Sequence, residues 1–228
     1  MRAVGVHADV IVVVSQVWRT TCTAIRAGEE GFLVDSPVLP AELDALPALL
    51  EQSRFPVSGL LATHADWDHL LGRLAFPGAA LGVAETTAAR LRAEPGAAAR
   101  ELREFDASWY LERPRPLALG EVQALPVPGH LEVGDRELEL HPADGHTSDG
   151  MAVFAPWAGV LCVGDYLSPV EEPQVADADA YFATLRRLRP LVERAETVVP
   201  GHGEPLSRAR ALEILDRDEA ALSRAGSR

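Results

Sequence analysis

The run His64-Ala65-Asp66-Trp67-Asp68-His69 follows directly on the apolar segment Val57–Ala62, and its reading governs the rest of the chain. In an extended segment, residues 64, 66 and 68 point to the same side. His64, Asp66 and Asp68 then converge, and His69 adds a fourth polar side chain from the adjacent turn. Imidazole and carboxylate are the usual ligands of zinc and of harder divalent cations. A polar loop with helix-capping aspartates would explain an isolated His-x-Asp. Four ligand-type side chains in six residues, straight after an apolar strand, favour a metal site.

Further along, three short stretches repeat the pattern of a polar group at a strand end. Asp144-Gly145-His146-Thr147-Ser148-Asp149-Gly150 is a glycine-flanked turn. Asp165 follows Val160–Val163 within Gly164-Asp165-Tyr166, and His202 lies between glycines in Pro200-Gly201-His202-Gly203. Loops at the ends of rigid strands bring distant ligands together, and glycine permits close backbone approach. Each stretch alone is weak evidence; together, in this order, they are strong. The other histidines carry plainer expectations: His7 exposed near the start, His130 in a turn or lining the pocket, His141 at a strand end or behind the His146 turn. Trp67 packs under the site or belongs to the core.

Working outward, Val10–Val14 reads as a buried strand, and Thr21–Ala27 with Gly31–Asp35 as a hairpin around Gly28-Glu29-Glu30. Pro40–Arg54 carries leucines at helical spacing, interrupted by Pro47. A short helix over Asp68–Leu74, a strand at Ala79–Val83 and a helix at Ala84–Leu91 follow. Residues 95–118 read as helix to about Phe105 and are then broken by prolines, the pattern of a lid or an insertion. Strands return at Glu137–His141, Met151–Phe154, Val160–Val163 and Thr197–Val199, with helices at Ala178–Arg189 and Ser207–Leu222. Two β-rich halves, each covered by helices, give an α/β fold.

The chain has 228 residues and a formal net charge of −13, with no lysine or asparagine. That length fits a single domain over 1–228. Its arginines are scattered among acids, as in Glu101-Leu102-Arg103-Glu104, so neither nucleic acid nor an anionic membrane is an expected partner. Cys22 and Cys162 lie in apolar strand-like runs and read as buried thiols, not as a disulfide framework. The apolar run Val10–Val14 is too short to span a membrane and has no cleavage-site pattern, which suggests a cytoplasmic location. Neither a Gly-x-Ser-x-Gly elbow nor a lysine-bearing phosphate loop is present.

Taken together, His64 to His69, Gly145-His146-Thr147, Gly164-Asp165 and Gly201-His202-Gly203 resemble the signature of the metallo-β-lactamase superfamily. That signature is a His-x-His-x-Asp-His run, a Gly-His-Thr turn, a bridging aspartate and a late Gly-His. The resemblance spans nearly the whole chain, since Phe32-Leu33-Val34-Asp35 also looks like the family's early strand ending in Asp. It implies a four-layer αβ/βα sandwich, two mixed β-sheets flanked by helices, with metals at one edge. It also implies that His64, Asp66 and His146 hold one metal, that Asp68, His69 and His202 hold a second, and that Asp165 bridges them.

The implied chemistry is hydrolysis of a small-molecule acyl substrate (a thioester, lactone or ester) by a metal-activated water, with two zinc ions per chain. Asp68 would orient the water or accept its proton, and Tyr166 would donate to a developing oxyanion or simply pack. The departure is Asp66, where the family usually places histidine. A carboxylate makes the site harder, which favours manganese or iron, or weakens one site; or Asp66 turns away and leaves a single metal. Two other readings stand beside the hydrolase: a mononuclear-iron oxidoreductase of the persulfide dioxygenase type, and a non-catalytic metal-binding module.

Overall fold

A computed structural model describes residues 1–225. The last three residues of the expected 1–228 domain lie outside the described residues. The first half builds a seven-stranded sheet from β1 (Arg2–His7), β2 (Val10–Val14), β3 (Thr21–Ala27), β4 (Glu30–Asp35), β5 (Gly59–Ala62), β6 (Ala80–Ala84) and β7 (Val122–Leu125), in that order. β1 to β4 run antiparallel, whereas β4 to β7 are parallel. The second half forms a six-stranded sheet from β8 (Gly129–Val133), β9 (Arg136–Pro142), β10 (Met151–Ala155), β11 (Val160–Cys162), β12 (Thr197–Val199) and β13 (Leu206–Ser207). Only β11 and β12 are parallel in it. The helices are α1 (Pro40–Gln52), α2 (Gly72–Ala75), α3 (Glu85–Ala93), α4 (Ala97–Trp109), α5 (Ala178–Arg194) and α6 (Arg208–Ala225).

Strand alternation sorts the side chains into three apolar layers. Val10, Val12, Val14, Ile25, Val34 and Leu61 of the first sheet face Leu138, Leu140, Met151, Val153, Val160 and Val199 of the second, all buried between the sheets. On the outer face of the first sheet, Val13, Cys22, Leu33, Leu60 and Leu81 pack against Leu43, Leu46 and Leu50 of α1 and Leu102 and Phe105 of α4. On the outer face of the second, Phe154, Leu161 and Val198 pack against Tyr181, Leu185 and Leu188 of α5 and Ile214 and Leu215 of α6. This is the four-layer sandwich, with two mixed sheets. No helix among the described residues is long and apolar enough to cross a membrane.

Several local expectations shift. The hairpin turn is Gly28-Glu29, with Glu30 already paired to Ala27. The segment after His64 is not one helix: Trp67–His69 is a single 3-10 turn and α2 starts at Gly72. Residues 95–118 are not a loose lid, because Ala98, Leu102, Phe105 and Leu117 are all buried in the first outer layer. His130 is not in a turn; it lies exposed on β8, opposite Glu139. His7 is half-buried, and its Nδ1 accepts from Asp9 N at 3.1 Å. Strands β1, β7 and β8, and the two-residue β13, have no counterpart in the sequence reading. The first three are largely exposed or half-buried, so they lack the apolar density that marks a strand, and β13 is too short to show one.

Candidate metal centre

Strand direction puts the polar loops at one end of the sandwich. β2, β4 and β5 end there in the first sheet, and β9, β11 and β12 end there in the second. Asp35 closes β4, His64 to His69 follow β5, His146 follows β9, Asp165 follows β11 and His202 follows β12. The two rims are stitched together by backbone. Thr21 N donates to Gly201 O at 2.7 Å, Gly203 N to Arg19 O at 3.0 Å, and Met151 N to Thr63 O at 2.7 Å.

The seven side chains singled out from sequence come together there. His64, Asp66 and His146 form one group of potential metal donors, and Asp68, His69 and His202 form a second. Within each group one ligand atom from every residue lies within 4.8 Å of the others. Asp165 stands between the groups: its Oδ2 is 3.2 Å from His146 Nε2 and 3.3 Å from His202 Nε2, and its Oδ1 is 3.1 Å from His69 Nε2. Asp66 does not turn away, since its Oδ2 lies 3.6 Å from both His64 Nε2 and His146 Nε2. Gly201 is needed for this convergence, because a Cβ there would sit 2.1 Å from Asp165 Oδ1 and 3.0 Å from His69 Cε1.

Three of the four imidazoles have a hydrogen-bond partner at their other nitrogen, and the fourth, His69, meets a carboxylate there without hydrogen-bond geometry. His146 Nδ1 donates to Gln174 O at 3.0 Å and His202 Nδ1 to Trp18 O at 3.2 Å. His69 Nδ1 faces Asp35 Oδ2 at 3.1 Å. His64 Nδ1 faces Thr63 Oγ1, which itself donates to Asp35 Oδ2 at 2.9 Å. A ring anchored through Nδ1–H presents the Nε2 lone pair, which is the arrangement of metal-binding histidines. Asp35 serves two of the four rings and adopts a left-handed φ of 58°, which aspartate tolerates better than most residues.

The donor set fits a divalent cation. His64 Nε2, His69 Nε2, His146 Nε2 and Asp165 Oδ1 are buried without a hydrogen-bond partner. Buried polar atoms are nearly always satisfied, so a convergent set of unsatisfied ones points to a bound group. The electrostatics show how strongly these carboxylates favour positive charge, which the imidazoles take up as protons when no cation is bound. Burial disfavours the Asp165 carboxylate, yet the His69, His64, His146 and His202 side chains hold its pKa well below the usual carboxylate range. Burial likewise opposes charge at His146, but Asp165 and Asp66 push it up to about 10. His69 and His202 are raised by Asp165 in the same way, again against burial.

Tyr166 does not face the donors. Its buried hydroxyl donates to Asp144 O at 2.6 Å and accepts from His146 N at 3.1 Å. With its proton committed to a carbonyl, it braces the His146 loop and is not placed to serve an oxyanion. His141 pairs with Glu139 at 3.1 Å and leaves the His146 turn alone. Trp67 is part-buried under α4, 4.8 Å from Phe105 between ring centroids. Three contributors escaped the sequence reading: Thr63, Asp149 and Arg90. Asp149 Oδ2 accepts from Ala65 N at 3.0 Å, and Arg90 reaches both Asp149 and Asp66. Asp149 stood within the quoted turn, but nothing in the sequence marked Arg90 among its neighbouring arginines.

Two helix-flanked mixed sheets with clustered histidines and aspartates on the loops at one end define a class of β-sandwich proteins built to hold cations at that rim. The chain belongs to the metallo-beta-lactamase superfamily, whose family model matches residues 16–202. Solved structures agree on the fold. A metallo-beta-lactamase family protein from Thermus thermophilus is 21% identical with a TM-score of 0.71, over 95% of this chain and 81% of that one. The metallo-beta-lactamase DIM-1 is 17% identical with a TM-score of 0.70, over 96% and 97% of the two chains. A metallo-beta-lactamase from Pontibacter korlensis is 17% identical with a TM-score of 0.68, over 97% and 98%.

Proposed function

We propose that the protein is a metal-dependent hydrolase acting on a small acyl substrate, a thioester, lactone or ester. The observation that carries this reading is the convergence of unsatisfied imidazole nitrogens from both sheets around Asp165. His64, Asp66 and His146 would hold one divalent cation, and Asp68, His69 and His202 a second, with Asp165 shared. Zinc is the expected ion, with manganese or iron as the alternatives. A bound divalent cation supplies a water acidic enough to give hydroxide near neutral pH. Asp68, whose Oδ2 lies 3.5 Å from His202 Nε2, would orient that water or accept its proton.

Two surfaces support a small, mainly apolar substrate. Trp18, whose carbonyl anchors His202, is 44% exposed and stacks edge-on against Trp67. A cavity of about 370 Å³ abuts Ala65 and Arg90 and is walled by Leu91, Leu117, Leu119 and Val122, within the usual size range of small-molecule sites. The charge of −13 opposes a nucleic-acid substrate.

Metal analysis of the purified protein should find at least one tightly held divalent cation per chain. A panel of thioesters, lactones and phosphodiesters should show hydrolysis confined to the acyl compounds and abolished by His69→Ala or His146→Ala. Full activity in metal-stripped protein would overturn the reading. Iron in the protein, with oxygen consumed in the presence of a persulfide, would replace it by the oxidoreductase alternative.

A further inference from the structure

Arg90 lies on α3, immediately beyond β6, the parallel neighbour of the strand that delivers His64. Its terminal nitrogens split between two carboxylates on different loops, while Nε lies 3.9 Å from Glu94 on its own helix side. One nitrogen is 2.9 Å from Asp66 Oδ1, and the other is 2.8 Å from Asp149 Oδ1. Asp149 is 1% exposed and is itself held by Ala65 N and by the Thr147 hydroxyl, at 3.0 and 2.9 Å. One arginine therefore spans the loop carrying His64, Asp66, Asp68 and His69 and the loop carrying His146.

The contact falls on the position where a carboxylate replaces the more usual imidazole. A free aspartate differs from a neutral imidazole in two ways: it offers two oxygens, and it brings a full negative charge. Arg90 acts on both. It occupies Oδ1, so only Oδ2 is turned towards His64 Nε2 and His146 Nε2, each 3.6 Å away. It also sets a positive charge against the carboxylate, which lowers its basicity towards a cation. Arg90 is shared with Asp149, so the offset at Asp66 is partial. Carboxylate oxygens suit hard ions such as manganese, and imidazole suits zinc. A one-oxygen carboxylate with part of its charge offset sits between the two.

We propose that Arg90 is a positioning residue that sets the metal preference of the first donor group, keeping Asp66 a single-oxygen ligand of reduced basicity and the group selective for zinc over manganese. This rests on the metal-dependent reading above, but its test does not use activity. The quantity to measure is the ratio of Zn²⁺ to Mn²⁺ affinity, by competition with a chromophoric chelator, at the binding step that His146→Ala removes. A ratio is insensitive to damage that weakens both ions alike, as a merely structural brace would cause.

Arg90→Met should lower the Zn²⁺/Mn²⁺ ratio by about tenfold, because Asp66 regains its second oxygen and its full charge. In an Asp66→His chain, the same Arg90→Met change should move the ratio by less than about threefold, since no carboxylate remains to be released. If Arg90→Met does not fold, because Asp149 is left buried without a counter-charge, the pair Arg90→Met with Asp149→Asn removes that charge and poses the same question of Asp66. The same fall is expected there. A ratio unchanged or raised in the folded variant overturns the proposal, as does an equal shift in the Asp66→His chain. A parent protein that binds neither ion instead refutes the metal-dependent reading itself.

Discussion

Replacing Asp35 by Asn exchanges one oxygen for an NH₂ group and should disturb the second donor group out of proportion to that change. Asp35 Oδ1 accepts from Thr63 N at 2.8 Å, and Oδ2 accepts from the Thr63 hydroxyl at 2.9 Å and faces His69 Nδ1 at 3.1 Å. The two Thr63 contacts are hydrogen bonds, and the third sets a carboxylate oxygen against His69 Nδ1 as a charge contact. Asparagine has one acceptor oxygen. If that oxygen stays on Thr63 N, the new NH₂ group confronts His69 Nδ1–H. His69 must then lose the contact or shift its proton to Nε2, the nitrogen that faces Asp165 and Asp68. Leaving one buried donor unsatisfied costs about 1–3 kcal/mol. Loss of an outer partner of a metal-binding histidine typically weakens the metal by about 10–100-fold, which spans about 1.4–2.7 kcal/mol. The two routes agree in size. Zn²⁺ affinity measured by chelator competition should therefore fall by that factor at the step His202→Ala also removes, and metal-free protein should lose about 1–3 kcal/mol in urea unfolding. Affinity within threefold of the parent, with stability unchanged, would refute the claim that Asp35 fixes the His69 ring.

Gly201→Ala should abolish tight metal binding while the chain still folds, since the added Cβ drives Asp165 out of its place between the donor groups; metal analysis and circular dichroism together check this. Tyr166→Phe removes both hydroxyl contacts of the His146 loop and should weaken metal binding and rate together. A fall in kcat at unchanged metal affinity would instead assign Tyr166 to the oxyanion. Cys22 and Cys162 are free and buried, and burial pushes the Cys162 thiol up to about 12 and Cys22 well above its ordinary value of 9.0. Both should resist alkylation until the chain unfolds. A folded pKa above the unfolded one gives stability that is complete below about pH 9 and is lost as pH climbs through the folded value, so urea midpoints should decline across that alkaline window. A midpoint flat to about pH 11 would count against buried neutral thiols.

Much of this was legible in the sequence because the informative residues are locally extreme. Val10–Val14, Met151–Ala155 and Thr197–Val199 are dense apolar runs buried on both faces of their sheets, and the reading placed them within a residue or two. The donors were legible for a different reason: histidine and aspartate beside glycine at a strand end have few purposes. What escaped depends on partners distant in sequence. β1 and β7 are edge strands of the first sheet, specified by the neighbour that pairs with them. Tyr166 lies next to a donor in sequence, yet its hydroxyl is captured by a carbonyl more than twenty residues earlier in the chain. Arg90 is one of several arginines on or near α3, and only packing selects it to meet Asp66.

The donors reach the rim from β5 at one extreme and β12 at the other, so the two groups cannot assemble until both sheets have docked. Three buried apolar layers provide for that docking by themselves. Small zinc modules work the other way round: their metal nucleates a chain too short to fold alone. Here the apolar layers would complete the body without the ion, so a cation is not needed as a template. The protein should accumulate as a folded, metal-free vessel wherever metal is scarce and be loaded afterwards, with the choice of ion decided by a rigid rim rather than by whichever metal was at hand during folding.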